Sequence, residues 1–216
     1  MSMNKEQGLA LLESVRVIAI VRGVEEKHIA GVAQALLDGG VPVMEVTLNT
    51  EGALGMIGRL QEAFGDRMFI GAGTVLDAED ARQALDAGAS YLVTPNMDEE
   101  VIRLAAGRDV PIFPGAMTPT EIVKAWKAGA TAVKVFPSAS LGIAYMKELL
   151  APLNRIPLMA VGGVTEDNIG EYLRIGCYGV GIGGSLVNLK EIAAGNYDWV
   201  RDKAARLIER SRQQSV

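Results

Sequence analysis

The feature that most constrains this chain is a repeated alternation of short apolar runs and longer amphipathic segments. Eight runs rich in β-branched residues recur along its 216 residues, and each precedes a segment with helical periodicity. Successive runs begin roughly 20 residues or slightly more apart, which is the length of one strand–helix unit. The predicted strands are 17–21, 41–47, 68–74, 90–94, 110–113, 131–136, 156–161 and 178–182.

Eight such units favour a closed parallel (β/α)8 barrel, or TIM barrel, with right-handed crossovers. An open dinucleotide-binding sheet is the rival, but no G-x-G-x-x-G follows the first run and no run has the pattern of an edge strand. An N-terminal helix is predicted at about 4–15 and a long terminal helix at 197–214. Because no linker or low-complexity segment interrupts the chain, we predict that residues 1–216 form a single domain.

Composition argues against several classes of protein. A net charge of −5 without a basic block disfavours nucleic acid as a partner. No apolar run approaches the ~20 residues that cross a bilayer, and the N-terminus lacks the apolar core of a secretory signal. The one cysteine, Cys177, fits a reducing cytoplasm. With a single histidine beside it, no His/Cys metal cluster is possible, so we expect neither a metal nor another cofactor.

Lys134 lies inside the apolar run TAVKVF, whereas the other lysines fall in the N-terminal segment or on polar helical faces. Strand alternation places Ala132, Lys134 and Phe136 on one face. Burying an ammonium there is costly unless it is paired or loses its proton. Schiff-base chemistry requires a lysine with a lowered pKa, because only the neutral amine attacks a carbonyl. The alternative is a structural lysine, either ion-paired or with its ammonium reaching solvent.

Glu45 is a carboxylate inside the apolar run VPVMEVT. In a (β/α)8 barrel the active residues lie at the carboxyl ends of the strands and in the loops that follow. A carboxyl group with a raised pKa at such a place can take a proton from a substrate hydroxyl and deliver it to carbon. The alternative is a salt bridge to Lys134 or Arg22, but Lys134 and Glu45 together favour catalysis.

Arg22 closes the first predicted strand and Thr74 closes the third. A guanidinium at a barrel mouth can hold a carboxylate or phosphate with two hydrogen bonds, although Arg22 could also be a solvated loop residue. Thr74 could donate its hydroxyl to a substrate carboxylate. Gly71 and Gly73 are expected to leave room for a ligand, with ordinary turn glycines as the alternative.

Two glycine turns follow the last two predicted strands. Gly162 and Gly163 come before a helix that is expected to begin near Thr165, and Gly184 and Ser185 come before a second short helical segment. Backbone amides at such turns bind anions without a net positive charge. The loops after strands seven and eight are the usual phosphate location in this fold, so we predict an anion site there.

With these residues, the chain resembles the 2-keto-3-deoxy-6-phosphogluconate (KDPG) and 4-hydroxy-2-oxoglutarate (KHG) aldolase family. The similarity runs from about Val17 to Leu186. It rests on VRG, EVTLNT, GAGTVL, TPN, FPGAMTPTE, KVFP and VGGVT, which occur in this order, one in each strand–helix unit.

The resemblance implies a class I aldolase without a metal, typically a homotrimer, in which Lys134 forms the Schiff base and Glu45 is the acid and base. It also implies that Thr74, Pro95 and Phe136 line the pyruvate pocket. The residues that match the positions around the substrate phosphate are Gly162, Gly163, Gly184 and Ser185.

The chain departs from the family pattern at Asn49, which is expected to be among the substrate-binding residues. Gluconate-type members commonly have an arginine in EVTLRT, and a neutral amide cannot supply that charge. Arg22 is therefore expected to carry more of the anion binding. Asn49, together with LVTPN and KVFPSAS, looks closer to the 2-keto-3-deoxy-6-phosphogalactonate aldolases, so the sugar configuration stays open.

The expected reaction is retro-aldol cleavage of a 2-keto-3-deoxy-6-phospho sugar acid to pyruvate and glyceraldehyde 3-phosphate, with 4-hydroxy-2-oxoglutarate as a further candidate substrate. One alternative is a non-catalytic sugar-phosphate binding barrel in which Lys134 is a fixed positive charge. Another is a phosphosugar isomerase or epimerase, which would need two bases or a metal at the mouth. Neither alternative explains a lysine within the strand as well as the aldolase does.

Overall fold

The computed structural model describes residues 3–212 and places nine parallel strand segments in one sheet. All eight predicted strands are present, most of them trimmed at their ends, which confirms the (β/α)8 architecture. The segments are β1 (Val17–Val21), β2 (Val43–Thr47), β3 (Phe69–Gly73), β4 (Leu92–Val93), β5 (Ile112–Phe113), β6 (Gly115–Ala116), β7 (Val133–Val135), β8 (Leu158–Val161) and β9 (Gly179–Ile182).

The two outermost segments of the sheet, β5 and β6, are separated only by Pro114. On one side the backbone N–H of Thr94 donates to the Phe113 carbonyl (3.4 Å), and on the other the N–H of Lys134 donates to the Pro114 carbonyl (2.9 Å). The two segments therefore act as one strand that bonds to both neighbours, and eight strands close the barrel. Proline cannot donate a ladder hydrogen bond, which accounts for the break.

Helices alternate with the strands around the outside of the barrel, as the amphipathic segments predict. The last helix, predicted at 197–214, ends at Arg212, and residues 213 and 214 lie outside the described residues. Between residues 3 and 212, no helix combines the length and the apolarity needed to cross a membrane. The helices are α1 (Lys5–Val15), α2 (Ile29–Asp38), α3 (Ala53–Phe64), α4 (Ala78–Asp86), α5 (Glu99–Gly107), α6 (Pro119–Ala128), α7 (Ser138–Leu150), α8 (Ile169–Arg174), α9 (Leu189–Ala193) and α10 (Tyr197–Arg212), with a 3-10 turn at Glu26–His28.

The apolar core has two layers, one between the strands and the surrounding helices and one inside the barrel. The inner layer is closed at the amino ends of the strands by α1, whose Leu12 is only 1% exposed. Helix α1 packs closely, because a side-chain carbon at Gly8 would lie 2.3 Å from the ring of Phe69. The barrel is therefore sealed at one end, and a ligand must enter from the carboxyl ends of the strands. That residues 1–216 form one domain stays a prediction.

Candidate active site

Lys134 lies at the centre of β7, paired in register with Gly115 of β6 and Met159 of β8. Its side chain points into the barrel and is 6% exposed. Ala132, two residues earlier, belongs to the inner core, and the Phe136 ring lies with its centroid 4.9 Å from Lys134 Nζ. The strand alternation expected from the sequence is therefore confirmed, and Phe136 covers the amine from the solvent side.

Glu45 lies in the middle of β2 and is 2% exposed. Its carboxyl group occupies the space above Gly73 of β3, where a side-chain carbon would lie 2.3 Å from Glu45 Oε1. The neighbouring Gly71 admits the ring of Tyr91 in the same way, at 2.5 Å. The expectation that these glycines make room for a ligand is therefore wrong, because the side chains of Glu45 in β2 and of Tyr91, the residue before β4, fill the two spaces.

Burial acts on Lys134 and Glu45 in opposite directions. It lowers the pKa of the Lys134 ammonium, and the nearby positive charge of Arg22 lowers it further, while the Glu45 carboxylate opposes the shift. Burial raises the pKa of the Glu45 carboxyl group, against the attraction of Lys134 and Arg22. Both shifts favour the neutral forms, so the pair combines a potential nucleophile with a potential proton carrier.

A cavity of about 540 Å³ opens above Lys134 at the carboxyl ends of the strands. Below it, Lys134 and Glu45 both line a void of about 10 Å³, which is about the space of one water molecule. The arrangement places the amine between an open cavity and the carboxyl group. The predicted residues that line the large cavity are Arg22, Pro95, Lys134, Phe136, Gly162, Gly163, Gly184 and Ser185.

Arg22 lines this cavity and Thr74 does not, but the two side chains contact each other. The exposed guanidinium of Arg22 donates through Nη2 to Thr74 Oγ1 (3.3 Å). Thr74 has a φ of 58°, a left-handed conformation that is rare and strained for a β-branched residue. The contact with Thr74 fixes one end of the guanidinium, and among residues 3–212 Arg22 makes no other side-chain hydrogen bond.

The two glycine turns lie on the opposite side of the cavity from β2 and β3. Gly162 and Gly163 have φ values of 93° and 73°, which only glycine adopts without strain. Within residues 3–212, the backbone N–H groups of Gly163, Gly184 and Ser185 donate to no protein acceptor. Unpaired donors beside a cavity are suited to an anion. The Ser185 hydroxyl is less available, because it donates to the Val164 carbonyl (2.9 Å).

Two further expectations differ from the structure, one about Asn49 and one about the start of α8. Asn49 is exposed in the turn after β2 and does not line the cavity, so its side chain is set apart from the other candidate residues. Helix α8 begins at Ile169 instead of near Thr165, because Asn168 Oδ1 accepts from the Thr165 N–H (2.8 Å) and Asn168 Nδ2 donates to the Gly163 carbonyl (3.0 Å). These bonds hold the chain in a turn before the helix.

Sequence reasoning missed the apolar wall of the cavity. Ile20 and Val161 line it from β1 and β8, and Leu189, 47% exposed, lines it from the start of α9. The inward positions of Ile20 and Val161 near strand ends could have indicated them, but nothing in the sequence distinguishes Leu189. Among the described residues, no group of three or more His, Cys, Asp or Glu side chains could hold a metal ion.

Comparisons with known proteins agree with this geometry. A family model described as KDPG and KHG aldolase matches residues 9–202. The 2-dehydro-3-deoxy-6-phosphogalactonate aldolase of Escherichia coli (strain K12) is 40% identical over 170 residues, covering 78% of this chain and 83% of the relative.

Two solved structures have the same fold. A KDPG aldolase from Legionella pneumophila, with pyruvate captured as a covalent carbinolamine intermediate, has a TM-score of 0.86 and 27% identity over 93% of this chain and 98% of its own. A cube-shaped cage designed by fusing symmetric oligomeric domains has a TM-score of 0.87 and 35% identity, over 93% of this chain and 73% of its own.

Proposed function

The chain belongs to the KDPG and KHG aldolase family and is an aldolase, and we propose that it cleaves a 2-keto-3-deoxy-6-phospho sugar acid through a Schiff base on Lys134. The products are pyruvate and glyceraldehyde 3-phosphate. The observation that carries the proposal is a buried strand lysine with a lowered pKa beside a buried carboxyl group, at the floor of a cavity.

In the first step the neutral amine of Lys134 attacks the C2 ketone. Glu45 in its carboxylic acid form gives a proton to the carbinolamine hydroxyl group, which leaves as water, and Glu45 becomes a carboxylate. The protonated imine that remains withdraws electrons from the C3–C4 bond. Burial lowers the pKa of Lys134 and so favours the uncharged amine, and Phe136 limits access of bulk water to the nitrogen. Arg22, held by Thr74, is placed to pair with the substrate carboxylate.

In the second step Glu45 removes the proton of the C4 hydroxyl group, through a water in the void that it shares with Lys134. The C3–C4 bond breaks, its electron pair enters the imine to form an enamine, and the aldehyde leaves. Glu45 then returns the proton to C3, and hydrolysis of the imine releases pyruvate and the free amine. One carboxyl group can serve both transfers because it is a base as the carboxylate and an acid once protonated, and burial raises its pKa, which favours the protonated form.

The phosphate group of the substrate is assigned to the turns at Gly162–Gly163 and Gly184–Ser185. Their unpaired N–H groups face the same cavity as Lys134, and a volume of about 540 Å³ fits a small ligand. Backbone donors suit a protein whose overall charge of −5 repels anions weakly.

Borohydride reduction in the presence of pyruvate tests the assignment of Lys134. We expect a covalent pyruvate adduct on Lys134, located by peptide mass spectrometry. The Lys134→Ala variant should form none, whereas Lys147→Ala, which removes an exposed lysine of α7, should form it as the unchanged protein does. An adduct of equal yield in Lys134→Ala would refute the proposal.

The preferred substrate is proposed to be the 6-phosphogalactonate-type compound, because Asn49 stands where gluconate-type members have arginine and a galactonate-type relative is 40% identical. Cleavage rates on the phosphogalactonate-type, phosphogluconate-type and hydroxy-oxoglutarate substrates, followed by pyruvate release, would rank the three. A higher rate on the gluconate-type compound would contradict this preference.

We also propose that the protein is a homotrimer in the cytoplasm. Its similarity to a component of a cage built from symmetric oligomeric domains supports self-association. The buried, free thiol of Cys177 fits a reducing compartment. Sedimentation analysis of the purified protein would give the number of subunits.

A further inference from the structure

Ser138 joins two strands of the barrel that carry different parts of the proposed site. Its side chain is fully buried, and its hydroxyl group donates to the Val135 carbonyl (2.7 Å) while accepting from the Val161 N–H (3.0 Å). Val135 is the residue after Lys134 and ends β7, and Val161 ends β8 immediately before Gly162. A single hydroxyl therefore connects the strand of the proposed nucleophile to the first glycine turn.

The next residue strengthens the same connection. The Ala139 N–H donates to the Gly162 carbonyl (2.9 Å). The Ala139 methyl group fills the space above Gly163, where a side-chain carbon would lie 2.1 Å from Ala139 Cβ. The first two residues of α7 thus bond to or pack against the last residue of β8 and the two glycines that follow it. A turn of two left-handed glycines is intrinsically soft, so its position depends on such contacts.

We propose that Ser138 is a positioning residue that fixes the Gly162–Gly163 turn relative to Lys134 and thereby sets how tightly the phosphate end of the substrate is held. The inference rests on the proposed function, since it takes the turn as the phosphate site. Loss of the hydroxyl leaves the buried Val161 N–H without its acceptor, and the turn that follows Val161 is then free to shift.

The local bond to Val135 alone could make Ser138 a stabilising residue with no effect on binding. The chain contains a matched example of that case. Ser211 in α10 is 8% exposed, and its hydroxyl donates to the Ile208 carbonyl, also three residues earlier and also at 2.7 Å. In the described part of the chain, the Ser211 hydroxyl accepts no hydrogen bond from any strand. Ser211→Ala therefore removes the same local bond without the cross-strand one.

The test compares kcat/KM for a 2-keto-3-deoxy-6-phospho sugar acid with that for the same acid without phosphate, by pyruvate release. In Ser138→Ala we expect kcat/KM for the phosphorylated acid, divided by kcat/KM for the acid without phosphate, to fall about tenfold, because KM for the phosphorylated compound rises. The rate of pyruvate trapping on Lys134 should be unchanged, because pyruvate does not reach the glycine turn. Ser211→Ala should keep the ratio of the unchanged protein.

An equal loss on both substrates, or an unchanged ratio, in Ser138→Ala would overturn the inference. If the alanine variant is too unstable to purify, Ser138→Cys gives the same comparison, because a thiol of similar shape is a weaker acceptor. Absence of any preference for the phosphorylated compound in the unchanged protein would instead overturn the proposed phosphate site, and with it this inference. The two failures are therefore distinguishable.

Discussion

Lys134 and Glu45 depend on each other at the scale of single residues. Each is buried where its charged form is costly, and each charge lowers the cost of the other. Arg22 adds a positive charge that disfavours the ammonium form of Lys134. The fraction of neutral amine at Lys134 of β7 therefore depends on two other side chains, Glu45 of β2 and Arg22, which follows β1.

This dependence predicts opposite pH shifts in two variants. Trapping of pyruvate should rise with pH as Lys134 loses its proton and level off below the ordinary lysine value of 10.5, because the pKa is lowered. In Arg22→Met a repelling positive charge is lost, the pKa of Lys134 rises, and the midpoint of the profile should move to higher pH. In Glu45→Gln an attracting carboxylate is lost, and the midpoint should move to lower pH.

The initial rate of borohydride trapping, measured across a pH series, checks these shifts. Arg59→Met, which removes an exposed arginine paired with Glu26 on the outside of the barrel, is the control and should leave the midpoint unchanged. Shifts of Arg22→Met and Glu45→Gln in the same direction would show that the three charges do not interact as described.

The sequence could indicate a site residue only where that residue departs from the pattern of its neighbours. Lys134 and Glu45 interrupt apolar runs, and their burial follows from the alternation of the strand. Ser138 interrupts nothing, because a serine at the start of a helix is ordinary. Its importance arises from Val161, which is 23 positions away in sequence and adjacent only in the folded barrel.

At the scale of secondary-structure elements, strand β3 contributes to the site through two glycines, which leave space for side chains from outside β3. Gly73 provides the space in which the Glu45 carboxyl group lies, and Gly71 provides the space in which the Tyr91 ring lies. Sequence alone could indicate that something approaches the backbone at these glycines. It could not show that the occupants come from β2 and from the residue before β4, because strand register determines which side chain lies over which glycine. The continuation of β5 beyond Pro114 was missed for a similar reason, since proline is normally a sign that a strand has ended.

Gly73→Ala should therefore lower activity and stability together. The added methyl group would lie 2.3 Å from Glu45 Oε1, and the carboxyl group must move. We expect a loss of about 100-fold in kcat, typical of a catalytic group displaced by about 1 Å, and a loss of about 1–3 kcal/mol in the free energy of unfolding from overpacking. Pyruvate release and urea denaturation measure the two effects.

A helical glycine offers the matched control. In the middle of α3, a methyl group at Gly58 would have ordinary contact with the Ala87 carbonyl, at 3.6 Å. Gly58→Ala should raise the free energy of unfolding by about 0.5–1 kcal/mol, because alanine restricts the unfolded chain and favours the helix. Unchanged activity in Gly73→Ala would mean that Glu45 does not need its present position.

At the scale of the whole molecule, the two ends of the barrel have different tasks. The amino ends of the strands are sealed by α1 and the inner core, whereas the cavity opens at the carboxyl ends, with Lys134 at its floor and Glu45 lining the void below it. This separation is general in (β/α)8 barrels and follows from the direction of parallel strands. It predicts that stability and activity can be changed independently by substitutions at opposite ends.

Leu12→Ala tests this separation at the sealed end. Leu12 is 1% exposed and packs into the inner core, so its truncation should cost about 2–5 kcal/mol in the free energy of unfolding. Leu76→Ala removes the same atoms from a side chain that is 53% exposed and should change stability by no more than about 0.5 kcal/mol. At temperatures where Leu12→Ala is fully folded, its kcat/KM should equal that of the unchanged protein, because α1 packs mainly against β2 and β3, and no residue of these two strands lines the cavity. A fall in kcat/KM in the folded variant would show that the inner core transmits changes from α1 to Lys134, and the two ends would not be independent.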